Sequence, residues 1–195
     1  MSSAAAQSLR PRLGAIDIGT NSMRLVVAEV DDENGYRVLD EEREMTRIGE
    51  GLVSTGRISD PAMERSLAAL GKMKAIADGF GVEELKAIAT SAVREASNGG
   101  QFCREAWRRH KIRVDVITPE EEARLAFRSA ARHFPLEGRS SAVVDIGGGS
   151  VEIVLAAGEV VDQVHSVPLG AIRLTERYVK SDPIKKRHWK HLKKA

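Results

Sequence analysis

Asp145-Ile146-Gly147-Gly148-Gly149-Ser150 is flanked by apolar runs, Ala142-Val143-Val144 before it and Val151, Ile153, Val154 and Leu155 after it. Three adjacent glycines between two strand-like segments predict a tight turn whose bare backbone amides can approach an anion closely. Asp145, at the head of the turn, is placed to hold a divalent cation. A second stretch, Asp17-Ile18-Gly19-Thr20-Asn21-Ser22, lies in the same kind of setting near the other end of the chain. At one constant offset Asp17 falls on Asp145, Gly19 on Gly147 and Ser22 on Ser150, with no gap. The two stretches read as phosphate-gripping hairpins from a duplicated fold.

A chain of 195 residues with 42% hydrophobic content is large enough for one ordinary domain or two small ones with a real core. Aromatics are only 4%, and Ala, Val, Ile and Leu dominate, which fits an α/β protein with a buried sheet. The single cysteine, Cys103, permits no internal disulfide, so a reducing, cytoplasmic location is expected. No apolar segment approaches about 18 residues, and residues 1–12 lack the hydrophobic centre of a signal peptide and read as a disordered leader; no membrane partner is expected. The net charge is +2, yet Lys185, Lys186, Arg187, Lys190, Lys193 and Lys194 crowd the end of the chain. Charged ends are usually solvated, so nucleic acid is not an expected partner. A homodimer is compatible with the sequence and is not specified by it.

Working along the chain, strands are expected over Leu13–Ile18, Met23–Val30 and Tyr36–Arg47, with a polar turn at residues 31–35 and an irregular loop around Gly49, Gly51 and Gly56. Asp60-Pro61 reads as an N-cap followed by a first-turn proline, opening a helix that runs to Gly79. A short strand at Leu85–Ala89, a helix from about Gly100 to His110 capped by Asn98, and a strand at Ile112–Ile117 come next. The helix Thr118–Arg132 precedes strands at Ser140–Asp145, Val151–Ala157 and Val160–Val167, and a further helix begins near Gly170. Alternating strands and helices with two hairpins imply an α/β sheet of mixed direction. A second half that repeated the first would need more elements after Tyr178, so the second domain is expected to be incomplete.

Helix capping separates the three acids of Thr118-Pro119-Glu120-Glu121-Glu122. Thr118 and Glu121 form the capping-box pair, and Glu120 is favoured near the positive helix end. Glu122 has neither role; beside Leu125 and Ala126, partial burial would raise its pKa toward that of a general base. Arg94 follows a strand end and can pair bidentately with phosphate oxygens. Glu152 shares a strand face with Ser150 and Val154, within reach of a metal on Asp145. Taken singly, these are equally a solvated first-turn glutamate, a surface arginine and half of a hairpin polar pair.

Four stretches together resemble the exopolyphosphatase and guanosine pentaphosphate phosphohydrolase (Ppx/GppA) family of the actin and sugar kinase superfamily. They are Ala15–Ser22, Ala89–Arg94, Glu121–Leu125 and Val144–Glu152, in the family's order. The resemblance covers about Leu13 to Tyr178 and leaves out the leader and the basic tail. It implies an actin-like ATPase (ribonuclease H-like) fold, with a first domain over 13–133, the start of a truncated second over 134–180, and a basic tail over 181–195. It also implies hydrolysis of a terminal phosphoanhydride in inorganic polyphosphate or guanosine pentaphosphate (pppGpp), with Mg²⁺ in an interdomain cleft. By motif, Glu122 matches the catalytic glutamate. Thr20, Asn21, Ser22, Arg94, Gly147, Gly148 and Ser150 match phosphate-binding positions, and Asp145, Glu152 and Asp17 match acids at the metal. Two other readings are a non-catalytic polyphosphate or alarmone binder and an ATP-dependent kinase; the adenosine-binding segment that a kinase needs is absent from the sequence.

Overall fold

In the computed structural model, residues 10–31 and 35–194 are described. Five strands form the first sheet: β1 (Arg12–Ile18), β2 (Met23–Val30), β3 (Tyr36–Glu44), β4 (Glu84–Ala89) and β5 (Val114–Val116), in the order β3-β2-β1-β4-β5. β1, β2 and β3 pair antiparallel, while β4 runs parallel to β1 and β5 parallel to β4. The mixed direction expected from a hairpin followed by strand–helix alternation is therefore present. Strand alternation sends Ile16, Ile18, Leu25 and Val27 to one buried face. Against it pack α2 (Asp60–Gly79), through Met63, Leu67, Leu70 and Met73, and α4 (Gly99–His110), through Phe102 and Ala106. Two short helices, α1 (Leu52–Thr55) and α3 (Ser91–Glu95), turn the chain between these elements.

The second sheet is an antiparallel meander of β6 (Ser140–Ile146), β7 (Val151–Ala157) and β8 (Val160–Val167). Its small core joins Val154 and Ala156 to Ala123 and Phe127 of α5 (Pro119–His133). The buried face of α5 packs on the second sheet, while Glu122 in its first turn accepts from Arg94 of α3. α6 (Ala171–Tyr178) starts at the glycine turn, and α7 (Lys186–Leu192) follows it. The opposite face of β6 is open, with Ile146 70% exposed, and among the described residues β6 pairs only with β7.

Several local expectations shift. β3 stops at Glu44 because Arg47 has φ of 49° and donates its amide to the Asn21 carbonyl, which bends the chain out of the sheet. The cap of α2 is Ser59, not Asp60: its hydroxyl accepts from the Ala62 amide. Asn98 does sit at the start of α4, but its side chain makes no cap bond. It is held instead by Ile58, accepting from that residue's amide and donating to its carbonyl, both at 2.9 Å. Arg12, expected in the leader, begins β1, while residues 1–9 lie outside the described set, as do residues 32–34 of the expected polar turn. The basic tail, read as a solvated end, keeps its lysines and Arg187 exposed and forms α7.

Candidate active-site cleft

The two glycine turns close in the same way. The Gly19 amide donates to the Ser22 carbonyl at 3.1 Å, and the Gly147 amide donates to the Ser150 carbonyl at 3.0 Å. Ile18 pairs with Met23 across the first turn, and Ile146 with Val151 across the second, so the duplication extends to register. The carbonyls of the second turn are all engaged. Gly147 accepts from Ala171, Gly148 from Ile172 and Arg173, and Gly149 from Gly170, which binds the turn to the start of α6. The amides of Thr20, Asn21, Gly148 and Gly149, in contrast, donate to no protein acceptor among the described residues. Unpartnered amides at the wall of a cleft are donors prepared for a ligand.

Where the turns meet, the packing is closest at Gly149 and tight at Gly148. A Cβ on Gly149 would stand 2.2 Å from the Ser91 Oγ and 2.8 Å from the Thr20 Oγ1, and one on Gly148 would stand 3.1 Å from the Thr20 Cβ. The two turns thus wall a cleft of about 370 Å³, lined by Asp17, Thr20, Asn21, Ser22, Glu122, Asp145, Gly147, Gly148 and Ser150 among others. Nine of the eleven residues singled out from the sequence are brought together there. Asp17 is exposed at the cleft. Partial desolvation by the surrounding atoms, and next the neighbouring Asp145 carboxylate, push its pKa up against the opposing charge of Arg24. Two carboxylates sharing one space suit a hard divalent cation. No group of three or more His, Cys, Asp or Glu side chains converges on such a site among the described residues.

Arg94 and Glu152 stand behind the cleft wall. Arg94 Nη1 donates to the Ile117 carbonyl at 2.8 Å and to Glu122 Oε2 at 3.1 Å, so this nitrogen is engaged with the glutamate and the backbone. Glu152 is 1% exposed and accepts a 2.8 Å hydrogen bond from the Ser166 hydroxyl. The pKa of Glu122 is raised, first by burial and then by the Glu152 charge, against hydrogen bonds from Arg94 and Thr90. Leu125, expected to shelter Glu122, is 46% exposed. Burial comes instead from elements that close over the start of α5. The capping box itself is present: Thr118 Oγ1 accepts from the Glu121 amide at 3.1 Å, and Glu121 Oε2 accepts from the Thr118 amide at 2.8 Å. Both acceptors are occupied, and Glu122 is left to face the cleft.

Five lining residues outside the two turns escaped sequence reasoning as site residues: Arg43, Thr90, Ser91, Ala171 and Ile172. Thr90 and Ser91 lay within a recognised stretch, whereas Arg43 sits in a strand of mixed character that offered no signal. Arg173 joins the two units by donating from Nε to the Gly149 carbonyl and from Nη2 to Glu95.

The sequence pattern of the Ppx/GppA phosphatase family matches residues 26–195, so it takes in the basic tail that the resemblance left out. The chain is 37% identical over 182 residues to exopolyphosphatase 2 of Mycobacterium tuberculosis, covering 88% of this chain and 56% of that protein. An exopolyphosphatase structure from Cytophaga hutchinsonii superposes with a TM-score of 0.85 at 33% identity, covering 90% of this chain and 56% of that one. The Aquifex aeolicus Ppx/GppA family member superposes at 0.76 with 36% identity, covering 93% and 58% respectively. The chain spans about half the length of the exopolyphosphatases it matches. Its mixed sheet with flanking helices is the actin-like fold of these neighbours. With that fold, and with the family pattern running over most of its length, the chain belongs to the Ppx/GppA phosphatase family.

Proposed function

We propose that the cleft hydrolyses a terminal phosphoanhydride, releasing phosphate from inorganic polyphosphate or from guanosine pentaphosphate. The observation that carries this reading is the set of unpartnered amides on Thr20, Asn21, Gly148 and Gly149 at a cleft that Glu122 also lines. These amides receive phosphate oxygens, and Ser22 and Ser150 add hydroxyls at the two ends of the turns. Glu122 accepts a proton from water as the water oxygen bonds to the terminal phosphorus and the bond to the bridging oxygen breaks. Its raised pKa makes it a better base than an ordinary glutamate, and Arg94 keeps the carboxylate oriented. Asp17 and Asp145 are the residues that would hold Mg²⁺, which when bound neutralises phosphate charge. Glu152 acts on Glu122 through its charge.

The exopolyphosphatase relatives favour polyphosphate over the nucleotide. A module that binds without turnover is the second reading, favoured by a second sheet of three strands in which β6 and β8 each pair only with β7 among the described residues. Phosphate release by the purified chain from long-chain polyphosphate and from guanosine pentaphosphate, in Mg²⁺ and in EDTA, separates the two. Mg²⁺-dependent release supports hydrolysis, binding without release supports the second reading, and the absence of both contradicts the phosphate assignment.

A further inference from the structure

Among the described residues three carboxylates, Asp17, Glu122 and Asp145, line the cleft, and Arg43 is the only cationic side chain that lines it with them. Arginines elsewhere around the cleft are committed: Arg24 to Glu41 at 2.7 Å, Arg94 to Glu122 at 3.1 Å and Arg173 to Glu95 at 2.6 Å. Arg43 makes no ion pair among the described residues. Its one side-chain hydrogen bond runs from Nε to the Ser22 hydroxyl at 3.3 Å, at the edge of the first glycine turn. Register holds it there, since Arg43 lies opposite Arg24 on the antiparallel β2–β3 pair and so stands beside the end of the turn.

We infer that Arg43 is a cationic phosphate-binding residue of this cleft, gripping the substrate from the Ser22 side. The inference rests on the phosphate reading of the cleft and names a residue that neither the motifs nor the resemblance supplied. A polyanion entering a space with three carboxylates needs positive charge from the protein. A guanidinium can present its two Nη groups to phosphate oxygens while Nε keeps its contact with Ser22. Arg94, which does not line the cleft, has Nη1 on Glu122 and the Ile117 carbonyl and positions the glutamate.

The test is equilibrium binding of long-chain inorganic polyphosphate in Mg²⁺ by the full chain carrying Glu122→Gln, so that ligand is not consumed. Adding Arg43→Ala should weaken binding at least about 10-fold, as expected for losing hydrogen bonds to a charged group. Arg43→Lys should recover part of that loss by keeping the charge without the fork. Arg57→Ala, an exposed arginine away from the cleft, should bind as the parent does. Arg43 is itself exposed, so the thermal midpoint should not move, and an unchanged midpoint keeps the comparison clean. Parent binding that Arg43→Ala leaves within twofold would overturn the assignment of Arg43 alone. No binding by the parent would overturn the phosphate reading of the cleft and the inference with it.

Discussion

Arg94 and Glu122 set each other's chemistry. Burial and the Glu152 charge push the glutamate pKa up, and Arg94 is the chief group that opposes them. A general base works deprotonated, so activity should fall as pH drops through this raised pKa, at a higher pH than for an ordinary glutamate. Replacing Arg94 by Met removes the opposing charge, and the pKa of Glu122 rises further. The acid limb of kcat/KM should therefore move to higher pH, while polyphosphate binding changes little; a pH–rate profile of the two proteins checks this. An unmoved acid limb would mean that Glu122 is not the titrating base. At this scale, sequence singled out Glu122 because capping rules gave Glu120 and Glu121 other work. It did not show that Arg94 holds Glu122, because that bond and the one to the Ile117 carbonyl join segments far apart in the chain.

The glycine turns, as elements, depend on close approach more than on flexibility. Gly149→Ala places a methyl 2.2 Å from the Ser91 Oγ of α3 and 2.8 Å from the Thr20 Oγ1 of the first turn, so the second turn or these side chains must shift. Activity should fall at least about 10-fold if the turns act as a matched pair, since misplacing groups by about 1 Å can lose 10²-fold in rate. Gly79→Ala supplies the contrast, because nothing lies within 4 Å of its added methyl at the end of α2. That variant should keep full activity and gain about 0.4–1 kcal/mol in stability by denaturant titration. α5 is the other element that positions chemistry. Thr118→Ala removes a capping-box acceptor and should cost about 1 kcal/mol, read as a lower thermal midpoint. The hairpins, the α2 helix and the α5 cap were all legible, since strand alternation, glycine turns and caps act over a few residues. The side-chain bonds of Asn98 to Ile58 and the engagement of the glycine carbonyls by α6 were not, because both join segments well separated in sequence.

For the whole molecule, the two sheets differ in what holds them. The first has an extensive core that includes Ile16, Leu25, Leu67, Leu70 and Phe102, whereas the second relies on Ala123, Phe127, Val154 and Ala156. Phe127 is the only large side chain among those four buried residues. Phe127→Ala should cost about 3–5 kcal/mol, felt mainly by the second sheet. Amides of β6–β8 should then exchange faster with solvent while those of β1, β2 and β4 keep their protection; uniform loss across both sheets would contradict separate cores. The duplication was legible at this scale through the paired turns, but the crossing of α5 onto the second sheet was not, as nothing in an amphipathic helix states which sheet it covers. Connections such as Arg173 to Glu95 and the Gly51 amide to Glu176 then close the cleft from outside the motifs. The central claim is that this cleft hydrolyses phosphoanhydrides through Glu122. Its most direct test sets phosphate release from polyphosphate by the unaltered chain beside that of Glu122→Gln, with binding measured on both. The account predicts a loss of about 10²- to 10⁴-fold in kcat with binding preserved, and turnover by Glu122→Gln within a few-fold of the unaltered chain would contradict it.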